Sequence, residues 1–340
     1  MKKILALVLV LSMVFALGIT NMAFAENDFP ELTLNYSVNY AETNVYAEGD
    51  KIMIDAIEEA TGGKVKINIF YSSSLMPQDQ EIASMMLGDL DMCATGCSWL
   101  SEYLPGLSGL SGAYVFNSYD HWYDFYYNSE AWAKYADKIA ETANTRFLAA
   151  ANNGSRTINL TTDKKVSSRA DLAGVKMRMP GTESWLFMGE ALGSNPVAVA
   201  YSDLYLSLQT GAVDGQDNPV AAIKDQSFYE VTKSVTLSKH VIADQYITIR
   251  EDLWQTFSPE LQKIFIDAAE KGCNYVIDKC HSEEADTIAF LKEQGLTVYE
   301  LTDEELASYK QEVLDYYMGN KDITASWDME LLDEINALVK

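Results

Sequence analysis

The sequence predicts an α/β protein folded as two lobes. Three observations carry this: strands and helices alternate from the start of the chain, the alternation restarts near Arg146, and one late helix is too long for a single lobe. Its 340 residues are 48% hydrophobic, enough for two ordinary domains with their own cores.

Each element has its own warrant. Residues 32–38 (Leu-Thr-Leu-Asn-Tyr-Ser-Val) read as a strand, and a helix through Ile52, Ile54, Ile57 and Ala60 ends at Gly62-Gly63. Residues 65–71 alternate Val65, Ile67 and Ile69 with Lys66 and Asn68, which is the period of a strand. A helix is expected over 78–87, a short segment at 91–94, and an aromatic-rich helical region over 120–135. From Arg146, strands at 147–151 and 156–160 precede a turn at Asp171-Leu-Ala-Gly174 and a strand at 175–179. Ser202 is the expected N-cap of a helix over 203–210 with Gly211 closing it, and Ser258-Pro259-Glu260 opens the long helix. Read to Gln294, that helix has about 36 residues and a length of about 54 Å, so it could span both lobes. Gly272 and irregular heptads argue against a coiled coil. Strand-then-helix repetition predicts mostly parallel sheets, with ligand loops at their carboxyl edges.

The N-terminus sets the compartment. Lys2 and Lys3, the apolar run 4–17 and the Ala23-Phe24-Ala25 site form a signal peptide, with cleavage expected after Ala25 and a periplasmic destination. Loss of the two lysines takes the formal charge from −25 to −27, since residues 1–25 hold no Asp or Glu. So acidic a chain disfavours nucleic acid and anionic lipid as partners, and an anionic ligand would need a local concentration of arginine. Cys93, Cys97, Cys273 and Cys280 read as idle buried thiols. Cys273 and Cys280 lie about 10 Å apart along one helix, too far to bridge, and the Cys93–Cys97 pair could close only by a turn at Gly96. No metal site is expected, because no histidine stands near either pair.

His121, His240 and His281 stand in no metal-binding or nucleophile-activating pattern, and no phosphate-cradling glycine loop is present. An enzyme is therefore not expected, and no cofactor is implied. The informative run is Ala173-Gly-Val-Lys-Met-Arg-Met-Pro-Gly181. On a strand, Val175, Met177 and Met179 share one face and Arg178 takes the other, at the strand's carboxyl end just before Pro180. A guanidinium there matches a carboxylate with two parallel hydrogen bonds.

Together with Ala191-Leu-Gly-Ser-Asn-Pro-Val197, residues 201–219 (Tyr-Ser-Asp-Leu-Tyr-Leu-Ser-Leu-Gln-Thr-Gly-Ala-Val-Asp-Gly-Gln-Asp-Asn-Pro) and Phe228-Tyr-Glu-Val231, this run resembles the DctP family, the solute-binding proteins of tripartite ATP-independent periplasmic (TRAP) transporters. The resemblance covers nearly all of the chain after the leader and is strongest over 153–249. It implies a type II-like, two-lobed periplasmic binding protein fold with a long helix spanning both lobes. The expected lobes are 26–153 with 244–284, and 154–243 with 285–340. It also implies a monomer that closes on a small carboxylate and delivers it to small and large integral membrane subunits. A sensory binding protein presenting the same ligand to a receptor is the alternative.

Residue by residue, the resemblance makes Arg178 the two-pronged carboxylate ligand, with Arg156 and Asn218 beside it. Tyr201 would pack against the ligand, and Glu183 and Trp185 stand where ligand-dependent contacts vary. Asn39, Gln78 and Thr95 fall in loops after first-lobe strands, where ligand hydroxyls would be read. The sialic-acid branch carries a glutamate in the loop that here reads Cys93-Ala-Thr-Gly-Cys97, a departure that speaks against sialic acid. The family's Gln-Glu-Asn-Pro here reads Gln216-Asp217-Asn218-Pro219.

Overall fold

The structure, a computed structural model, describes residues 29–339; the expected signal peptide lies outside the described residues. Two sheets form two lobes. The first contains β1 (Leu32–Ser37), β2 (Val65–Phe70), β3 (Met92–Thr95), β4 (Thr145–Ala151) and β10 (Gln245–Arg250), in the order β2-β1-β3-β10-β4. The second contains β5 (Arg156–Leu160), β6 (Lys176–Met179), β7 (Asn195–Ala198), β8 (Gly215–Pro219), β9 (Ser234–Thr236) and β11 (Thr297–Tyr299), in the order β11-β9-β5-β8-β6-β7.

Both sheets are mostly parallel, as expected, with a single strand reversed in each. β10 runs antiparallel to β3 and β4, and β5 runs antiparallel to β8 and β9. The cause is the path of the chain. β4 leaves the first lobe and β10 returns to it, while β5 enters the second lobe and β9 leaves it, so each pair of crossing strands must oppose in direction.

Helix α1 (Val45–Ala60) starts where the side chain of Asn44 accepts a hydrogen bond from the Tyr46 amide. The helical stretch expected from 78 opens as a 3-10 turn, Gln78–Gln80, and continues as α2 (Glu81–Leu87). The aromatic region is two helices, α3 (Tyr119–Asn128) and α4 (Glu130–Ala143). Ser129 is extended between them, and its hydroxyl caps α4 by accepting from the Ala131 and Trp132 amides. α5 (Glu183–Leu192) follows β6, capped by Thr182. Ser202 is not an N-cap. It lies within a 3-10 turn, Tyr201–Asp203, that leads into α6 (Leu204–Gln209), although Gly211 does take the left-handed conformation expected of it. α7 (Val220–Asp225) leaves β8, and α8 (Pro259–Glu293) is the long helix, capped by Ser258. α9 (Asp303–Gly319) and α10 (Met329–Ala337) complete the chain.

α8 joins the lobes. Leu261, Phe265, Ala269, Cys273 and Val276 bury in a core shared with β1, β2 and α1, whereas Leu291 packs with Leu204, Leu208 and Val235 of the second lobe. Gly272 has a packing role at the crossing of α8 and α1. A Cβ placed on it would lie 2.4 Å from the Gly49 carbonyl oxygen, and one on Gly49 would lie 2.7 Å from the Gly272 carbonyl oxygen, so the two backbones touch only because neither residue has a side chain. Against the first sheet, α3, α4 and β10 pack Trp122, Phe125, Tyr126, Trp132 and Tyr246 into one aromatic cluster. Leu331 and Ile335 of α10 belong to that first-lobe cluster.

Besides α8 and the segment 320–328 that carries the chain back to α10, residues 152–155 and 237–244 cross between lobes. They run side by side, with the Arg156 amide donating to the Val241 carbonyl at 2.7 Å and the Ala243 amide to the Gly154 carbonyl at 3.1 Å. Gly154, at φ 109, adopts a conformation that residues with side chains rarely take. All four cysteines are free and buried. Among the described residues, no helix is long and apolar enough to cross a membrane, and no group of side chains could hold a metal ion.

Candidate ligand-binding cleft

The lobes enclose a cleft of about 710 Å³, partly open to solvent. Residues at or just beyond the carboxyl ends of β1, β3, β6 and β8 line it, as do those at the start of β5 and β10, because antiparallel strands begin where their neighbours end. It brings together Arg178, Arg156, Asn218, Tyr201, Trp185, Asn39 and Gln78. Two expected residues lie elsewhere. Thr95 is the last residue of β3 rather than part of a loop, is buried, and lends only its carbonyl to the Gln245 side-chain amide. Glu183 opens α5 and faces a separate cavity beside Glu102, Phe187 and Trp327.

Arg178 is 2% exposed. Its Nε donates to the Val199 carbonyl at 2.9 Å, the one hydrogen bond its side chain makes among the described residues, so both terminal nitrogens remain unpartnered. Its guanidinium also lies over the Tyr201 ring, 5.6 Å from the centroid. Burial pulls its pKa down to about 10, with Asp217 opposing and Arg156 adding to the fall, so it stays charged at neutral pH. Burial also pushes the Tyr201 phenol upward, against the pull of Arg178 and Arg156.

Arg156 is held from behind. Its Nε donates to Asp217 Oδ2 at 3.2 Å, Nη1 reaches Asn218 Oδ1 at 3.4 Å, and its guanidinium stacks 4.4 Å from the Trp185 ring centroid. Asn218 in turn donates to Gln216 Oε1 at 2.5 Å. Behind Asp217 stand His240, 3.4 Å from the same carboxylate oxygen, and Ser238, whose hydroxyl is 2.9 Å from His240 Nδ1. Ser, His and Asp thus meet in space although the sequence shows no such motif. All three are fully buried, however, and of the three only Asp217 bonds a cleft side chain, that of Arg156, so the serine has no access to a substrate. These side chains orient Arg156.

From the first lobe come Asn39, whose amide donates to Gln78 Oε1 at 2.9 Å, and Ser98, whose hydroxyl accepts from Trp185 Nε1 at 2.8 Å across the cleft. Asn44, Tyr46, Ser98, Asn153, Asp244 and Gln245 also line the cleft and escaped the reading of the sequence. Asn44 was the most legible, as an N-cap residue before an amphipathic run. Asp244 and Gln245 sit at the beginning of a strand, and a parallel sheet would have put them at the far edge from any ligand.

The model of the bacterial extracellular solute-binding proteins of family 7, DctP, matches residues 36–321. The chain belongs to the DctP family. Among solved structures, this DctP protein resembles a TRAP periplasmic solute-binding protein of Roseobacter denitrificans with bound 3-deoxy-D-manno-oct-2-ulosonic acid. That pair shares 33% identity with a TM-score of 0.85 over 91% of this chain and all of the other. A second Roseobacter denitrificans protein, with bound L-galactonate, shares 27% identity and a TM-score of 0.81 over 91% of this chain and 99% of its own. The sialic acid-binding periplasmic protein of Vibrio cholerae is 29% identical over 78% of this chain and 82% of its own. The protein is thus a TRAP-transporter solute-binding protein, one of a family that binds without catalysis.

Proposed function

We propose that this DctP protein captures a small organic acid in the cleft and hands it to the small and large integral subunits of a TRAP transporter for uptake driven by an ion gradient. The observation that carries the reading is Arg178, a buried cation whose two terminal nitrogens lack a protein partner. An uncompensated buried charge is costly, and a carboxylate accepting two parallel hydrogen bonds offsets that cost. Asn218 and Arg156 would flank the same carboxylate, and Tyr201 and Trp185 would cover the body of the ligand. Solved relatives holding 3-deoxy-D-manno-oct-2-ulosonic acid and L-galactonate support a carboxylate ligand here.

Capture is by closure. One rigid body would be residues 29–153 with 244–284 and the C-terminal helix at 329–337, the other 154–243 with 285–328, hinged at the paired crossings. Export by the N-terminal signal, with cleavage after Ala25, and a monomeric periplasmic form complete the proposal.

The test is a thermal-shift screen of the ligand-free mature protein and of Arg178→Ala against sugar acids, C4-dicarboxylates, 2-oxo acids and aromatic acids. A ligand at about a hundred times its dissociation constant stabilises by about 2.7 kcal/mol. One acid class should raise the midpoint of the wild type and leave Arg178→Ala unmoved; an equal response from both would remove Arg178 from the mechanism.

A further inference from the structure

Asp244 is a carboxylate in a cleft built to receive a carboxylate. It stands on the crossing segment that enters β10, and the Cys97 amide donates to its Oδ2 at 2.9 Å. Burial raises its pKa, while the Cys97 amide, the Tyr246 side chain and Arg156 pull it down; a carboxyl group has acceptor sites beyond those two hydrogen bonds, so it can also accept from a ligand hydroxyl. Gly96 also lines the cleft beside Asp244, where a Cβ would make ordinary contact with Oδ1 at 3.6 Å.

Charge in the cleft is nearly balanced before any ligand enters. Its cationic lining residues are Arg156 and Arg178, its acidic lining residue is Asp244, and Asp217 is bound to Arg156 from behind. The sum is +2 − 2 = 0. One ligand carboxylate makes the set −1, and a second would make it −2 beside buried side chains, on a protein whose formal charge without the leader is already −27. Among the described residues, no further lysine or arginine lines the cleft to receive that second charge. What the first-lobe wall offers instead is the neutral polar set Asn39, Asn44, Gln78, Ser98 and Gln245. Amides and hydroxyls of this kind pair with ligand hydroxyl groups.

We propose that Asp244 sets the specificity of this site, selecting polyhydroxylated monocarboxylates over dicarboxylates of the same length by accepting a ligand hydroxyl where a second carboxylate would be repelled. The proposal rests on the carboxylate contact to Arg178 and adds the group that reads the other end of the ligand. Asp244 acts by direct contact, unlike Asp217, which acts through Arg156.

The experiment is isothermal titration at neutral pH with matched pairs of four, five and six carbons, each an aldonate and the aldarate that differs from it only by a terminal carboxylate in place of the terminal CH2OH. The six-carbon pair is galactonate and galactarate, with galactitol as the uncharged control. Wild-type protein should bind at least one aldonate, and should bind it about tenfold or more tighter than its aldarate. Asp244→Asn, which keeps an acceptor for the Cys97 amide, should weaken the aldonate and strengthen the aldarate, so that their ratio shrinks about tenfold or more. Asp244→Ser serves as a second variant, and the wild-type ratio stands whether or not either variant folds. Equal binding of a pair by the wild type, tighter binding of any aldarate, a ratio unchanged in both folded variants, or no binding by either series would overturn the role of Asp244. Loss of both ligands in Arg178→Ala would leave the carboxylate contact standing in each of those cases where the wild type binds, and equal binding of galactitol and galactonate would overturn that contact instead.

Discussion

At the scale of the residue, this protein stores ionisable groups in places that oppose their charge. Arg178 is one, and Asp50 is another. Asp50 lies in α1, fully buried, with the Tyr40 hydroxyl donating to its carboxylate at 2.6 Å and the Tyr36 hydroxyl at 3.0 Å. Desolvation raises its pKa to about 7, against the lowering effect of the two phenols. The folded state therefore holds this proton more tightly than the unfolded chain does. Its contribution to stability is complete below the ordinary aspartate range and declines as pH rises towards about 7, at up to about 1.4 kcal/mol per unit. Thermal midpoints measured between pH 4 and 8 should fall less steeply in Asp50→Asn than in the wild type, and parallel curves would show that Asp50 is not the group titrating.

At the scale of the element, the crossing of α1 and α8 was hidden in the sequence behind a residue that looked like a flaw. Gly272 interrupts the apolar spacing of a long helix, and in isolation a mid-helix glycine costs about 1 kcal/mol relative to alanine. Here it is the point of closest approach, so Gly272→Ala should destabilise instead of stabilising. With backbone rather than a flexible side chain opposing the new methyl group, a loss of about 2–4 kcal/mol is expected in denaturant titration. A gain, as helix propensity alone would give, would mean the helices separate freely. Ser129 is the converse case. It divides the aromatic stretch into two helices, and a serine ahead of an acidic residue is a start signal that could have been read, but the continuous aromatic spacing around it concealed the break.

At the scale of the whole molecule, the two lobes are tied by individual side-chain contacts as well as by the chain crossings. The Trp185–Ser98 hydrogen bond is one, and on the far side of the hinge the Asp225 carboxylate accepts from the Val45 amide at 3.0 Å, bringing α7 of the second lobe to the start of α1. Ser98→Ala removes a partner from a buried indole nitrogen without altering Arg178. Closure should become less favourable by about 0.5–1.5 kcal/mol, seen as a threefold to tenfold weaker affinity arising mainly from faster ligand release. Trp185 fluorescence would report the opening. Unchanged affinity and release would mean that this contact does not contribute to the closed state.

The sequence by itself determined the two α/β lobes, the long helix with its Ser258 cap, the family, and the arginine at the end of the strand at 176–179. Each follows from local order along the chain: periodicity, capping residues, and blocks at set spacing. Tertiary structure decided the direction of β5 and β10, the return of α10 to the first lobe, the burial of Thr95, and the arrival of Asp244 opposite two arginines. Those outcomes depend on where the chain crosses between lobes, and a crossing leaves no periodic signature, because what it places side by side is far apart in sequence.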